Sequence, residues 1–355
     1  MILINGNFLC RNLTGIERFA WETCRQLDEI VSPEDSIALY APSNARVVPE
    51  YRNIRIIQSG KNIKSFPVWD MLTFSRACTR LKATGLNFSN TAPLGRNCGF
   101  SFIHDIYAKD FPEDFKSFKD KLIRLYCRLS YWNITRNAKK VITVSNFSRK
   151  RIQEAYNVQP ERIEVVPNGW DHFKSIEPDS SIFGRFPQLE KGGFYFTLGS
   201  LSRRKNLQWI ASYAAKNPEE KFAVSGKAIS GLVPKDLEDL QRLPNVTLLG
   251  YVTDGQVKAL MENCRAFLFP SYYEGFGIPP LEALSCRAKI IVSKSASLPE
   301  IYGDCAHYIE WNSTECSLPE ILKEKTEVPD SILEKYTYKN SAEILKKIIK
   351  IQKKR

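Results

Sequence analysis

The sequence predicts an α/β protein built from two doubly wound, Rossmann-like domains, and three observations support this fold class. Short apolar runs alternate with stretches of helical spacing along the chain, a pattern typical of parallel sheets covered by helices. The length of 355 residues suits two ordinary domains better than one. A segment rich in Pro, Gly and Ser, without strong periodicity, separates two sets of these alternations between Asp171 and Gly193.

The strand candidates fall into one set on each side of that segment. The first set comprises residues 2–5, 37–40, 54–57, 100–103, 141–144 and 163–166, and the second comprises 194–198, 222–225, 246–249, 266–269 and 289–292. We place the N-terminal domain at residues 1–172 and the C-terminal domain at 173–334. Ligands of parallel α/β sheets bind at the carboxyl ends of the strands, so we expect a site in a cleft between the two domains.

Composition narrows the function classes. Hydrophobic residues make up 43% of the chain and charged residues 25%, as in soluble globular proteins, and no apolar run reaches 18 residues. The first six residues resemble a strand more than a signal peptide. The nine cysteines are scattered and form no C-x-x-C pair, which predicts reduced thiols in the cytoplasm and argues against a zinc site. The net charge of +12 favours a polyanionic partner: nucleic acid, an anionic membrane or a phosphorylated substrate.

Residues 270–282 form the most informative segment, Pro-Ser-Tyr-Tyr-Glu-Gly-Phe-Gly-Ile-Pro-Pro-Leu-Glu. An apolar strand precedes it and a helix follows, which we expect to start at Pro280 with Glu282 in its first turn. Glu274 then lies on a glycine-rich loop whose backbone N–H groups suit an anion. Two carboxylates flanking such a loop suit a nucleotide sugar, which carries hydroxyls at both ends and phosphates between them. The alternatives are a capping-box glutamate at 282 and a solvated loop carboxylate at 274.

A second segment, residues 197–206, is a strand end, a turn with Gly199, and three cations before a helix. Arg204 and Lys205 beside a helix N-terminus suit a diphosphate, and a solvated basic turn is the alternative. In a third segment His104 and Asp105 follow the strand 100–103, where a core histidine is the alternative. In a fourth, Gly15 opens the first helix and would let the backbone approach a phosphate closely.

Together these segments resemble the retaining glycosyltransferases of the GT4 type, which have the GT-B fold of two Rossmann-like domains facing across a cleft. The likeness runs from Ile2 to about Ile349 and includes the E-x7-E signature formed by Glu274 and Glu282. It implies that a final helix, at about 335–355, crosses back onto the N-terminal domain. It also implies that the N-terminal domain binds the acceptor and that the C-terminal domain binds the nucleotide sugar.

The resemblance also implies roles for individual residues. Arg204 and Lys205 hold the donor diphosphate, and His104 contacts the donor sugar near the reacting centre. Asp105 either orients the imidazole or meets the acceptor hydroxyl. Glu274 holds the sugar hydroxyls and Glu282 those of the ribose. The remaining substrate-binding candidates, which line the phosphates or border the base, are Gly15, Gly199, Gly226, Lys227, Tyr251, Val252, Gly275, Phe276, Gly277 and Ile278.

The activity implied is transfer of a hexose, with retention of configuration, from GDP-mannose or a UDP-hexose to a glycan. The acceptor is expected to be lipid-linked and destined for a bacterial surface polysaccharide. The sequence contains no D-x-D motif, so we expect neither a metal nor another cofactor. The alternatives are an inverting GT-B enzyme, a sugar-nucleotide epimerase, and a catalytically inactive membrane- or polyanion-binding protein.

A basic stretch at residues 116–140 contains eight lysines and arginines and a single acidic residue, Asp120. Apolar and aromatic residues interleave with helical spacing: Leu122, Leu125, Tyr126, Leu129 and Trp132. This pattern fits a helix at the surface of an anionic membrane, on the inner face of the plasma membrane. It fits equally a helix whose apolar face packs inward while its cations are solvated. We do not expect nucleic acid as a partner, because no nucleic-acid-binding motif accompanies the charge.

Overall fold

The computed structural model describes residues 1–199, 202–226 and 234–350, the side chains at 234–237 and 350 excepted. The chain forms two compact units. Unit 1 comprises Met1–Gly169 and the C-terminal segment from Tyr336, and unit 2 comprises Trp170–Lys335. The first boundary between the units thus lies after Gly169, whereas the sequence analysis placed it after residue 172.

Unit 1 is built on a seven-stranded sheet in which every pair of neighbouring strands is parallel. Its strands are β1 (Ile2–Asn5), β2 (Ile37–Ala41), β3 (Arg55–Gln58), β4 (Thr84–Asn87), β5 (Phe100–Phe102), β6 (Lys140–Thr143) and β7 (Ile163–Val165). The strand order is β3-β2-β1-β4-β5-β6-β7. The chain therefore reverses its direction of winding between β1 and β4, where ligands of such sheets bind.

The helices of unit 1 lie between these strands and at the C-terminus. They are α1 (Gly15–Ile30), α2 (Phe66–Val68), α3 (Ser75–Arg80), α4 (Tyr107–Asp110), α5 (Phe118–Asn137), α6 (Asn146–Tyr156) and α15 (Tyr338–Lys350). A π-helical segment, Trp69–Phe74, joins α2 to α3. The last helix returns to unit 1: Ala342 and Leu345 lie in one core cluster with Phe19 and Leu27 of α1.

Unit 2 contains a six-stranded sheet, also parallel throughout. Its strands are β8 (Phe194–Leu198), β9 (Lys221–Ser225), β10 (Val246–Gly250), β11 (Ala266–Phe269), β12 (Ile290–Ser293) and β13 (His307–Ile309), in the order β10-β9-β8-β11-β12-β13. Its helices are α7 (Ser181–Arg185), α8 (Leu207–Lys216), α9 (Pro234–Gln241), α10 (Asp254–Asn263), α11 (Ile278–Ser285), α12 (Leu298–Tyr302), α13 (Leu318–Ile321) and α14 (Asp330–Lys335).

The predicted fold class is confirmed, since each unit is a parallel Rossmann-like sheet with helices. All eleven predicted strands are present to within a residue or two at each end, but β4 and β13 were missed. Strand β4 escapes a hydrophobic pattern because Gly85 is at its centre. A Cβ added at Gly99 would lie 2.1 Å from the carbonyl oxygen of Gly85, so the two backbones approach too closely for side chains.

Ser117 and Asp120 form a capping box at the N-terminus of α5. The interpretation in which its apolar residues pack inward is wrong for four of the five that suggested it: Leu122, Leu125, Leu129 and Trp132 are exposed. In the part of the chain that the structure describes, no helix is both long and apolar enough to cross a bilayer.

Candidate active site

The carboxyl ends of β8 and β11 lie side by side in the middle of the unit 2 sheet, where the winding direction reverses. The turn after β8 carries Arg204 and Lys205, and the loop after β11 carries Glu274. Hydrogen bonds join these two segments. The backbone amide of Tyr272 donates to the carbonyl of Arg204 at 3.0 Å, and the side-chain amide of Asn206 donates to the carbonyl of Pro270 at 3.1 Å. The sheet topology thus brings two predicted motifs into one site.

Lys205 and Glu274 form an ion pair at this edge. Lys205 Nζ donates to Glu274 Oε1 at 2.7 Å and lies 4.4 Å from the centre of the Phe269 ring. The hydroxyl of Ser271 donates to the same carboxylate oxygen at 2.6 Å. Burial alone would raise the pKa of Glu274, but the positive charges of Lys205 and Arg204 outweigh it and hold that pKa below its ordinary value. The site therefore keeps a buried carboxylate ionised beside two cations.

Two glycines are required by the close packing around this pair. Gly277 has a φ of +88°, and a Cβ added there would lie 2.7 Å from Leu298 Cδ2. At Gly199 a Cβ would lie 3.2 Å from Lys205 Cε, against the stem of the lysine side chain. Larger residues at these positions would displace the loop or the cation.

Hydroxyl groups hold the loop after β11 by its carbonyl oxygens. Ser295 donates to the carbonyl of Tyr272 at 2.7 Å, Ser297 to that of Glu274 at 3.0 Å, and Tyr302 to that of Gly277. In a trans peptide the N–H group points opposite to the preceding carbonyl. The amides that follow Glu274 and Gly277 therefore point away from these hydroxyls, an orientation that suits an anionic ligand on the other side.

The helix after this loop begins earlier than predicted. Helix α11 starts at Ile278, with Gly277 at the N-cap, so Glu282 lies in the second turn instead of the first. The early start follows from the left-handed conformation of Gly277, which ends the loop before the prolines. Glu282 is buried, and its Oε1 lies 3.1 Å from His172 Nε2. No sequence motif indicated this contact between His172 and Glu282.

The remaining predicted residues of unit 2 lie along β9 and β10. The amide of Gly226 donates to the carbonyl of Gly250 at 3.2 Å, so this turn is bound to the neighbouring strand. The side chain of Tyr251 is 71% exposed, whereas Val252 is buried. Of this pair, Tyr251 has the accessible surface that a contact with a base requires. Lys227 lies outside the described residues.

In unit 1, Gly15 is the first residue of α1, as predicted. The neighbouring Glu17 does not point outward: it is 6% exposed, accepts a hydrogen bond from Thr14, and lies 3.9 Å from Arg11 Nε. Arg11 offsets part of this negative charge at the start of α1.

His104 follows β5 and is buried between aromatic rings. It stacks on Phe102 with ring centres 5.6 Å apart and meets Phe19 of α1 edge-on. Its Nε2 lies 2.7 Å from the carbonyl of Phe88, which can only accept, so Nε2 carries the proton and Nδ1 is left as an acceptor. Burial lowers the pKa of His104, which keeps the imidazole neutral. The carboxylate of Asp105 accepts from the amide of Tyr107 at 3.1 Å. Its negative charge acts to raise the pKa of His104, against the larger effect of burial.

Asp70, which no motif indicated, is the most buried carboxyl group at the carboxyl edge of the unit 1 sheet. Asn5, at the end of β1, donates to it at 2.8 Å, Asn7 at 3.1 Å and Thr91 at 2.7 Å. Burial is the main influence and raises the pKa of Asp70 despite these donors and the charge of Arg11. It lies in the π-helical segment, an irregularity that sequence patterns do not show and that is frequent at functional sites.

Chemically, the unit 2 site can neutralise a diphosphate with Arg204 and Lys205 and accept hydroxyl hydrogens at Glu274 and Glu282. The structure brings Gly199, Lys205, Glu274 and Gly277 together, while Glu282 forms a separate pair with His172. Gly15 and His104 belong to unit 1. Among the described residues there is no group of three or more His, Cys, Asp or Glu side chains placed to hold a metal ion.

Comparison with known proteins extends this picture. The family model described as Glycosyltransferase Family 4 matches residues 13–172, and the model described as Glycosyl transferases group 1 matches residues 181–309. Together the two matches cover most of both units. The second contains the whole segment from Gly199 to Glu282, and the first contains Gly15 and His104.

Curated relatives include two bacterial enzymes. The chain is 29% identical over 204 residues to the O-antigen chain mannosyltransferase B of Escherichia coli, covering 53% of this chain and 51% of that protein. It is 27% identical over 252 residues to the O-antigen chain mannosyltransferase RfbU of Salmonella typhimurium, covering 68% of this chain and 65% of that protein. The chain thus spans about half to two thirds of the length of these relatives.

Solved structures show the same fold at low identity. WaaG, described as a glycosyltransferase involved in lipopolysaccharide biosynthesis, superposes with a TM-score of 0.67 at 15% identity, over 99% of this chain and 100% of that chain. Both family models and this structural likeness lead to one conclusion. The chain belongs to the GT4-type glycosyltransferases, and its fold is GT-B.

Proposed function

We propose that the protein is a retaining, metal-independent glycosyltransferase that moves a mannosyl group from GDP-mannose to a hydroxyl of a lipid-linked glycan. The observation that carries this proposal is the buried ion pair of Lys205 with Glu274, beside Arg204 and the start of α11. The choice of mannose is supported by the names of the two relatives, both O-antigen mannosyltransferases. A UDP-hexose is the alternative donor.

The residues of unit 2 provide the donor chemistry. Arg204 and Lys205 neutralise the charge that develops on the leaving diphosphate, together with the N-terminus of α11. When the diphosphate binds, Lys205 divides its contacts between the phosphate oxygens and Glu274. The carboxylate of Glu274 can then accept hydrogen bonds from the sugar hydroxyls, and Glu282 can accept from those of the ribose. No metal is needed in this scheme, because cationic side chains take its role.

The bond changes of the proposed reaction balance within the reactants. The acceptor oxygen forms a bond to the anomeric carbon on the face from which the phosphate leaves. The bond from that carbon to the phosphate oxygen breaks, and its electron pair stays on the phosphate, which takes the acceptor proton. His104 contributes a neutral imidazole whose Nδ1 can accept a hydrogen bond. Unit 1 is proposed to bind the acceptor, at the cytoplasmic face of the membrane.

Calorimetry with GDP and UDP, each in EDTA, tests the donor part of the proposal. We expect GDP to bind the wild-type protein, and Lys205→Met to weaken binding by about a hundredfold, since one charge-assisted contact is lost. Lys216→Met is the matched control, because Lys216 forms an exposed pair with Glu315 at 2.7 Å. Equal binding by wild type and Lys205→Met would contradict the assignment. Tighter binding of UDP than of GDP would identify a UDP-hexose, and not GDP-mannose, as the donor.

The product decides among the rival activities. With GDP-mannose and a glycan acceptor, the anomeric proton of the new linkage, measured by NMR, should show the α configuration of the donor. A β product would identify an inverting enzyme. Conversion of the donor without an acceptor into an isomeric nucleotide sugar would identify an epimerase. Nucleotide binding without any turnover would favour the inactive binding protein.

A further inference from the structure

The apolar residues of α5 form a continuous stripe on its outer surface. We call it the α5 stripe, and its members are Phe118, Leu122, Leu125, Leu129 and Trp132. All are exposed, from 52% for Leu122 to 77% for Phe118. Their spacing of four, three, four and three residues places them within an arc of about 80° on an α-helix. The stripe is about 21 Å long, at a rise of about 1.5 Å per residue.

In its C-terminal turns, α5 packs against unit 1 through residues outside the stripe. Its buried residues in the last turns are Ser130, Tyr131, Asn133, Ile134 and Thr135. Asn133 donates to the carbonyl of Pro93 at 2.9 Å, which attaches this side of α5 to the preceding loop. The orientation of α5 is therefore fixed, and the α5 stripe faces away from the core of unit 1. An exposed apolar surface of this size indicates an interaction site.

Cations border the α5 stripe. Lys121 and Arg128 lie on one side of it and Lys119 on the other, and all three are exposed. Aromatic residues, Phe118 and Trp132, are at its two ends. An apolar stripe with aromatic residues and flanking lysines and arginines is the composition of helices that lie in the interface of an anionic bilayer.

We propose that α5 binds an anionic lipid bilayer by inserting the α5 stripe into the boundary between headgroups and acyl chains. The helix lies parallel to the membrane, and the long stems of Lys119, Lys121 and Arg128 let their charges reach the lipid phosphates. The charge pattern favours lipid over a second copy of the chain. In a two-fold dimer the same face meets itself, and these cations would then oppose one another.

The inference deepens the proposed function. It rests on that function in one respect only: an enzyme with a lipid-linked acceptor must act at the membrane. Docking through α5 would hold unit 1 at the surface where such acceptors lie. Nucleotide binding by unit 2 does not depend on it. The two proposals can therefore fail separately.

Flotation with vesicles of phosphatidylcholine, with and without phosphatidylglycerol, tests the inference. We expect binding only to the vesicles with phosphatidylglycerol, and a decrease of at least about tenfold in the double variant Leu122→Glu/Leu129→Glu. Lys121→Gln/Arg128→Gln should weaken binding by about tenfold at low salt and by less at high salt. Val47→Glu, which changes another exposed apolar residue of unit 1, is the matched control and should float as wild type does.

Two further measurements make each outcome decisive. Urea unfolding confirms that the variants fold as the wild type does, and sedimentation velocity reports association of copies. Equal flotation of wild type and the double glutamate variant would overturn the inference, as would equal binding to neutral vesicles. A wild-type dimer that the glutamates dissociate, without vesicle binding, would assign the stripe to an interface between copies. Nucleotide binding without flotation refutes only the membrane inference, and flotation without nucleotide binding refutes only the proposed function.

Discussion

Asp70 in unit 1 and Glu274 in unit 2 are both buried carboxyl groups at the carboxyl edge of a parallel sheet, yet their pKa values move in opposite directions. That of Asp70 is raised and that of Glu274 is lowered. Burial is the largest influence on both and favours the neutral acid. The difference comes from their partners: Glu274 has Lys205 at 2.7 Å, whereas Asp70 is bound by amide and hydroxyl groups.

The comparison shows that the carboxyl edge of a parallel sheet can serve two purposes. A buried carboxylate with a cation at hydrogen-bond distance remains ionised, and both members can exchange contacts with a charged ligand. A buried carboxyl group among neutral donors instead joins segments of the chain. Asp70 links the end of β1 to the loop after β4 through Asn5 and Thr91. On this basis we propose that Glu274 takes part in the transfer chemistry and that Asp70 belongs to the framework.

The largest expected effect tests that division directly. Glu274→Gln keeps the shape of the side chain but removes the charge, and we expect the rate of transfer to fall by on the order of 10³-fold. Asp70→Asn should keep most of the rate, because the hydrogen-bond donors around this side chain are neutral. Initial rates with GDP-mannose and a glycan acceptor measure both. A loss in Asp70→Asn as large as that in Glu274→Gln would place Asp70 in the reaction and end the distinction.

A second prediction concerns a substitution that removes the main cation beside Glu274, so that its surroundings resemble those of Asp70. Lys205→Met leaves a buried carboxylate without its main partner, and we expect the free energy of unfolding at neutral pH to fall by about 3 kcal/mol. The dependence on pH should reverse. In the wild type the lowered pKa of Glu274 contributes stability above the ordinary glutamate value, about 4.3, which is lost as pH falls through the lowered pKa.

In Lys205→Met, burial dominates and raises the pKa of Glu274, so stability is lost as the pH rises through that value. Urea unfolding between about pH 5 and 7 should therefore show a decline for the variant that the wild type lacks. Lys216→Met, in an exposed pair, should match the wild type. A parallel pH profile for Lys205→Met and wild type would mean that Lys205 does not set the charge of Glu274.

The sequence predicted one side of the comparison and not the other. Lys205 and Glu274 each follow an apolar strand in a turn with glycine and precede a helix, so local patterns placed both at a sheet edge. Their pairing then followed from the parallel order of β8 and β11. Asp70 lies in a π-helical segment that directly follows the three-residue helix α2, and its donors come from distant parts of the chain. Only the tertiary structure brings these residues together.

The same limit applies elsewhere in the fold. The sequence identified α5 and its apolar spacing, but periodicity alone does not tell which face of a helix is covered. Leu129 and Ile134 are equally apolar in the sequence, yet the first is exposed and the second is buried. For Glu282, the prolines suggested a helix start at Pro280, whereas the positive φ of Gly277 fixed it earlier, at Ile278.

A third prediction concerns the loop that holds Glu274. In Gly277→Ala the new methyl group would meet Leu298 in a backbone conformation that disfavours alanine, and we expect a loss of about 2 kcal/mol in unfolding free energy. Gly60→Ala is the matched control, since Gly60 has a φ of +66° with no atom within 4 Å of the added Cβ. It should cost about 1 kcal/mol. Equal losses in urea unfolding would mean that the contact with Leu298 relaxes freely.

The smallest expected effect concerns Glu282. Its partner is the imidazole of His172, whereas Glu274 is paired with the ammonium group of Lys205 and Asp70 is bound by neutral groups. The contact of Nε2 with one carboxylate oxygen at 3.1 Å would limit the rotamers of Glu282 and leave its other oxygen to the ribose. We therefore expect His172→Phe to raise the KM for the donor by about tenfold with little change in kcat, because one polar contact that positions Glu282 is lost. His172→Gln, which can still donate, should restore most of the affinity.

Substitution of another buried histidine of unit 2 separates this positioning role from general destabilisation. His307, in β13, is buried to a similar degree and forms no ion pair with Glu282 among the contacts of the described residues. His307→Phe should leave the KM unchanged. If it raises the KM as much as His172→Phe does, or if His172→Gln fails to restore affinity, the contact with Glu282 is structural. Glu282 would then join Asp70 in the framework, and Glu274 would be the only buried carboxylate of the three that acts on the donor.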